Sequence, residues 1–118
     1  MKDVTHFVVA DVKENGIKNG GFKKIPIQEI LFDLGMKQFV KEHCDDKAKQ
    51  LNIKILKRDN LPLNRSSTVH TDIQNKKPLD PIVVKKFKET KYYEVIQGRH
   101  RVVISLYEGF THVPVIVS

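Results

Sequence analysis

The stretch Gln97-Gly98-Arg99-His100-Arg101 constrains this chain most, because it puts a glycine and two arginines between a predicted strand and a predicted helix. Tyr92 to Ile96 is typical of a strand, and apolar residues recur at helical spacing from Val102 onward. The N–H groups and dipole of a helix N-terminus favour anions, and arginine donates paired hydrogen bonds to phosphate. The pattern predicts a phosphate-binding turn. The alternative is an ordinary glycine turn with solvated arginines.

Composition predicts one soluble domain over residues 1–118, with 40% apolar and 30% charged residues. The apolar runs are too short for a transmembrane helix, and no signal-peptide core follows the N-terminus, so we expect a cytoplasmic protein without membrane contact. A single cysteine, Cys44, agrees with a reducing compartment and is interpreted as an incidental thiol.

The net charge of +7 is concentrated between Lys76 and Arg101, where eight basic residues face three acidic ones. Such an excess favours polyanions, either nucleic acid or a nucleoside triphosphate. The candidate nucleic-acid contacts are Lys76, Lys77, Lys85 and Lys86. A lysine-rich solvated surface is the alternative explanation.

Periodicity and turn residues predict an α+β fold, a mixed sheet with helices packed around it. Pro114 indicates an edge position for the last strand, and Gly109 ends the preceding helix. The helical segment Asp45–Leu51 either continues the helix predicted over Gln28–Glu42 or forms a short separate helix. The predicted strands are Val4–Val12, Phe22–Ile27, Asn52–Lys57, Ile82–Phe87, Tyr92–Ile96 and His112–Val117; the predicted helices are Gln28–Glu42, Asp45–Leu51, one from Ser66 or Ser67 to Ile73 or Gln74, and one after Gly98.

Several pieces, in this order, resemble the ParB/sulfiredoxin superfamily. The resemblance covers about Leu61 to Val117 and Ile25 to Ile27, and it is poor over residues 28–60, where we predict an insertion atypical of the family. The matching pieces are Ile25-Pro26-Ile27, Leu61-Pro62-Leu63-Asn64-Arg65, Pro81-Ile82-Val83-Val84, Gly98-Arg99-His100-Arg101, Gly109 and Val113-Pro114-Val115.

The resemblance implies that the Gly98 turn holds nucleotide phosphates, since relatives bind CTP or ATP there. The implied site residues are Gly98, Arg99, His100, Arg101, Thr71 and Arg65, and the implied cofactor is CTP or ATP with Mg²⁺ shared with a carboxylate such as Asp72 or Asp80.

Two departures from relatives limit the function. Sulfiredoxin has a catalytic cysteine just before its His-Arg pair, whereas this chain has Arg99, so sulfinic acid reduction is not expected. ParB partition proteins continue into a helix-turn-helix reader, and the sequence stops at Ser118, so centromere reading is not expected either.

Three functions remain open. The first is a nucleotide-phosphate-binding domain in a nucleic-acid-associated process. The second is an enzyme, a ParB-like nuclease or ATP-dependent phosphotransferase, in which His70, His100 or His112 acts as general base; no metal-ligand spacing stands out. The third is a non-catalytic DNA-, RNA- or protein-binding adaptor that uses its lysines on phosphates and Tyr92 or Tyr93 for stacking.

Overall fold

The structure, a computed structural model, describes residues 23–56, 75 and 79–118. The predicted strand Val4–Val12 and the predicted helix after Ser66 or Ser67 lie outside these residues. In chain order the elements are β1 (Lys23–Pro26), a 3₁₀ turn (Ile27–Glu29), β2 (Ile30–Phe32), α1 (Leu34–His43), α2 (Asp45–Leu51), β3 (Lys54–Ile55), β4 (Ile82–Lys86), β5 (Tyr93–Gln97), α3 (Arg99–Tyr107) and β6 (His112–Val117).

The described strands form one mixed sheet in the order β1-β6-β4-β5-β2-β3. The β4–β5 hairpin and the β1–β6 pair are antiparallel, whereas β4 runs parallel to β6. β2 lies between β5 and β3 and is parallel to both. The mixed sheet and three helices confirm the predicted α+β class.

The core lies between the sheet and the helices. Alternate strand residues share one face, so Ile30 and Phe32 of β2 point into the core, as do Val113 and Val115 of β6. α1 and α3 cover that face with apolar side chains. The helical core residues are Met36, Phe39, Val40, Val102, Val103, Ile104 and Leu106. Among the described residues, no helix has the length and apolar character needed to span a membrane.

The helix predicted over Gln28–Glu42 is wrong in its first part. Ile30–Phe32 is a fully buried strand, and α1 begins only at Leu34. Three consecutive apolar residues fit a strand that is covered on both faces. β2 pairs with β5 and β3, and this pairing cannot be read from the periodicity of the sequence. Asp33 then caps α1, because its side chain accepts a hydrogen bond from the Met36 amide at 2.9 Å.

Of the two alternatives left open for Asp45–Leu51, the structure has a separate helix. Cys44 interrupts the helical path with φ −152° and ψ 40°, and α2 ends at Asn52 in the left-handed conformation. The prediction that residues 28–60 are atypical of the family stays a prediction, but β2 and α1 are integral parts of the sheet and core.

Pro114 does not mark an edge strand, because β6 lies between β1 and β4. The ladder with β4 starts at Val115, opposite Ile82, so Pro114 precedes the residues that need to donate to β4. The neighbouring prediction is confirmed: Gly109 follows the end of α3 with φ +95°.

Candidate functional site

Gly98 forms the junction between β5 and α3, as predicted. It has φ +108° and ψ 29°, a conformation that favours glycine. A Cβ atom placed there would lie 3.0 Å from Nη2 of Arg101. The turn therefore needs glycine for two reasons, backbone conformation and the guanidinium group against it.

The sheet topology brings two helix N-termini to one edge. β2 and β5 are adjacent and parallel, with Ile30 opposite Tyr93 and Leu31 opposite Glu94. Each leads directly into a helix, β2 into α1 after Asp33 and β5 into α3 after Gly98. The carboxyl ends of parallel strands are where open sheets with helices commonly bind ligands. The Gly98 turn thus lies at a favourable edge for an anion.

Arg99 makes a two-point ion pair with Asp33. Its Nε donates to Oδ2 at 2.8 Å and its Nη2 donates to Oδ1 at 2.9 Å. Both side chains are largely buried, with exposed fractions of 19% for Arg99 and 10% for Asp33. Because Asp33 also caps α1, this pair ties the start of α1 to the start of α3. In this structure Arg99 therefore directs two donors to a protein carboxylate, and its predicted role in binding phosphate stays a prediction.

Arg101 points to different acceptors. Its Nη1 donates to the main-chain carbonyls of Asp80 and Pro81, the latter at 3.2 Å. Burial lowers the pKa of the Arg101 guanidinium, and the nearby Asp80 carboxylate opposes that shift. Arg101 consequently links the first turn of α3 to the chain just before β4, and it lies directly against Gly98.

The remaining predicted phosphate ligands are only partly described. His100 is half-buried in the first turn of α3. Arg65 and Thr71 lie outside the described residues, as do Lys76 and Lys77.

Lys85 and Lys86 are exposed near the end of β4. Lys86 pairs with Tyr93 at the start of β5, whereas the Gly98 turn follows the end of that strand. Four residues of strand lie between Tyr93 and Gly98, so the two positions are about 17 Å apart. Lys86 instead lies over the Tyr93 ring, with Nζ 4.7 Å from its centroid. The charges of Lys85 and Lys86 therefore lie away from the Gly98 turn, although the β4–β5 hairpin directly precedes that turn in the sequence.

Of the acid–base and metal-binding candidates that the structure describes, His100 lies in the first turn of α3 and Asp80 lies beside Arg101, whereas His112 starts β6. Asp80 is exposed and contacts Arg101 through its carbonyl, while His112 Nδ1 lies 2.9 Å from Thr111 Oγ1. His70 and Asp72 lie outside the described residues. Within residues 23–56, 75 and 79–118, no group of three or more His, Cys, Asp or Glu side chains is placed to hold a metal ion.

Cys44 lies in the core at the α1–α2 junction, away from the Gly98 turn in sequence and among buried apolar residues. Burial raises the pKa of its thiol to about 11, partly opposed by Lys47. A protonated, buried thiol agrees with the interpretation of Cys44 as an incidental thiol.

Asp33 is the site residue that sequence reasoning missed. Its only local signal is an acidic residue between an apolar run and the first turn of a helix, which is a capping pattern. Its partner Arg99 is 66 residues further along the chain, so the ion pair has no sequence signature.

Comparison with known proteins agrees with this fold. The model of the ParB N-terminal domain matches residues 12–118. A solved structure of a conserved hypothetical protein from Pyrococcus furiosus is similar, with a TM-score of 0.51 and 11% identity over 95% of this chain. This chain covers 34% of that protein, and at such low identity the likeness concerns the fold alone. No curated protein matches the sequence. The matched model spans nearly the whole chain and includes the Gly98 turn, so the chain belongs to the ParB N-terminal domain family.

Proposed function

We propose that this domain binds the phosphates of a nucleoside triphosphate, CTP or ATP with Mg²⁺, at the Gly98 turn, and acts in a nucleic-acid-associated process. One observation carries the proposal: a glycine with positive φ starts α3 at the carboxyl ends of two adjacent parallel strands, with two arginines in the first helical turn. Membership of the ParB N-terminal domain family supports the nucleic-acid-associated setting.

The two arginines have different parts in the proposed site. Arg101 lies against Gly98 and supplies a guanidinium group beside the amides of the first turn. Arg99 acts mainly through Asp33, because that ion pair fixes the position of the turn against α1. A phosphate that reaches Arg99 has to share it with the Asp33 carboxylate, whereas at Arg101 it competes with the main-chain carbonyls of Asp80 and Pro81.

A Mg²⁺ ion carried with the phosphates needs a carboxylate at the same edge. Asp80 fits among the described residues, since its side chain is exposed and its main chain touches Arg101. The ion would shield phosphate charge, and Asp80 would orient it.

Nucleotide binding is tested by titrating the protein with fluorescent analogues of the four nucleoside triphosphates in the presence of Mg²⁺. We expect saturable binding of CTP or ATP and a loss of about 10- to 100-fold in affinity for Arg101→Ala, the value of one charged hydrogen bond. Lys85→Ala is the matched control, because it removes one positive charge from the far end of β4 and should bind normally. Thermal melts of both variants identify any loss that is due to unfolding. Absence of saturable binding by the unmodified protein would contradict the proposal.

The adaptor alternative is supported by the exposed lysines of the β4–β5 hairpin, whose ammonium groups lie beside aromatic rings. The same titration with a short labelled oligonucleotide, repeated over a range of salt concentrations, separates the two functions. Contacts to nucleic-acid phosphates weaken steeply with salt, and Lys85→Ala/Lys86→Ala should reduce the slope by about 2 if both lysines touch phosphate. Analysis of the products from DNA and ATP tests the enzyme alternative in the same samples.

A further inference from the structure

An open groove of about 540 Å³ lies between α1, α2 and β3, in the segment that we predict to be atypical of the family. It does not include the Gly98 turn. The residues that line it are Phe32, Lys37, Val40, Lys41, Asp45, Ala48, Lys49, Asn52, Ile53 and Ile55.

The floor of the groove is apolar. Phe32 and Val40 belong to the buried core, and Ala48 and Ile53 pack against it. Ile55, in β3, is 38% exposed at the border of the groove. A ligand that fills the groove with aliphatic side chains would remove the exposed parts of Ala48, Ile53 and Ile55 from water, and such burial is the main source of affinity in apolar sites.

The rim of the groove is basic. Lys37 and Lys41 are exposed on α1 and lie one helical turn apart, about 6 Å along the axis. On the opposite side, Lys49 pairs with Asp45 at 3.0 Å, so these two charges largely balance. The unbalanced charge of the groove is therefore the pair of lysines on α1.

We propose that this groove binds an acidic amphipathic helix of a partner protein. Carboxylates at positions i and i+4 of such a helix are also about 6 Å apart and would face Lys37 and Lys41, while apolar side chains on the neighbouring face of that helix fill the floor. The groove is open to solvent, which suits a helix better than a small molecule that needs enclosure.

Charge also favours an acidic helix over nucleic acid or another segment of this chain as the occupant of the groove. A nucleic-acid backbone would bring a phosphate near Asp45 and would leave the apolar floor uncovered. The chain's own remaining segments carry no acidic excess: residues 1–22 have three basic and three acidic residues, and residues 57–74 have three basic and two acidic residues. Neither segment complements the two lysines of α1.

Selection of binders from a displayed library of helical peptides tests the proposal with the full chain. We expect the enriched peptides to carry two acidic residues four positions apart beside Leu, Ile or Phe. Amide resonances of residues that line the groove should shift when a synthetic peptide from this set is added. Lys37→Glu/Lys41→Glu should weaken binding of this peptide by 10-fold or more. Lys37→Gln/Lys41→Gln, which removes the two charges without reversing them, should also weaken it.

The matched control is Lys23→Glu/Lys24→Glu, which reverses two exposed charges on β1 at the other end of the sheet. This variant should bind the peptide normally. A peptide in which the two acidic residues are changed to lysine should recover binding to Lys37→Glu/Lys41→Glu. Three results would overturn the proposal. They are enrichment of peptides that lack acidic residues, equal peptide binding by Lys37→Glu/Lys41→Glu, and shifts of the groove amide resonances on addition of a DNA oligonucleotide instead of the peptide. Nucleotide binding at Gly98 should be the same in all three variants of the protein, so failure of this proposal is distinct from failure of the proposed function.

Discussion

Replacing Asp33 is the perturbation that tests the architecture of the site most directly. Asp33→Ala removes the cap of α1 and leaves the largely buried Arg99 without its carboxylate partner. Loss of a helix cap costs about 1 kcal/mol, and breaking a buried ion pair by removing one partner costs about 3–5 kcal/mol. Because Arg99 keeps 19% of its surface in water, the lower part of that range applies, and we expect a total of about 4 kcal/mol.

Asp33→Asn separates the two contributions. Asparagine caps helices about as well as aspartate, so this variant should lose only the charge and recover about 1 kcal/mol relative to alanine. Urea unfolding followed by circular dichroism gives both values. Combining Asp33→Asn with Arg99→Met in a double-mutant cycle measures the pair itself, and we expect a coupling of at least about 1 kcal/mol.

The coupling should change little between low and high salt, because both side chains are shielded from solvent. A coupling below about 0.5 kcal/mol would show that the ion pair does not hold the two helix N-termini together. Nucleotide affinity would then have to depend on the first turn of α3 alone.

Two further predictions concern other residues. Gly98→Ala and Gly109→Ala should each cost about 1–2 kcal/mol, because alanine disfavours their left-handed backbone. Only Gly98→Ala should also weaken nucleotide binding, since a Cβ at Gly98 meets a guanidinium group at 3.0 Å, while a Cβ at Gly109 meets no atom of the described residues within 4 Å. Urea unfolding and the same nucleotide titration measure the two effects, and equal nucleotide affinities in the two variants would contradict the close approach at Gly98. The raised pKa of Cys44, about 11 in the folded protein, means that the thiol favours folding at neutral pH and that this contribution is lost as the pH rises from about 9 to 11. Between pH 9 and 11, the unfolding free energy of Cys44→Ala should therefore fall by about 2 kcal/mol less than that of the unmodified protein. Parallel plots of unfolding free energy against pH for the two proteins would argue against burial of the thiol.

The C-terminal elements could be predicted well because their signals are local. The β4–β5 hairpin, α3 with its two flanking glycines and β6 lie within one or two residues of the expected positions. The helix predicted from Gln28 failed because Ile30, Leu31 and Phe32 fit a helical stripe as well as a buried strand. Only pairing with β5 decided between the two.

The sequence by itself determined the turn: a glycine between a strand and a helix fixes the backbone there, and the arginines after it follow from the chain order. Tertiary structure decided where those arginines point. Arg99 reaches Asp33 because β2 and β5 are parallel neighbours, and Arg101 reaches Asp80 because β4 starts where β5 ends. Strand order and register place residues far apart in sequence within hydrogen-bonding distance, and a linear pattern contains no information on that distance.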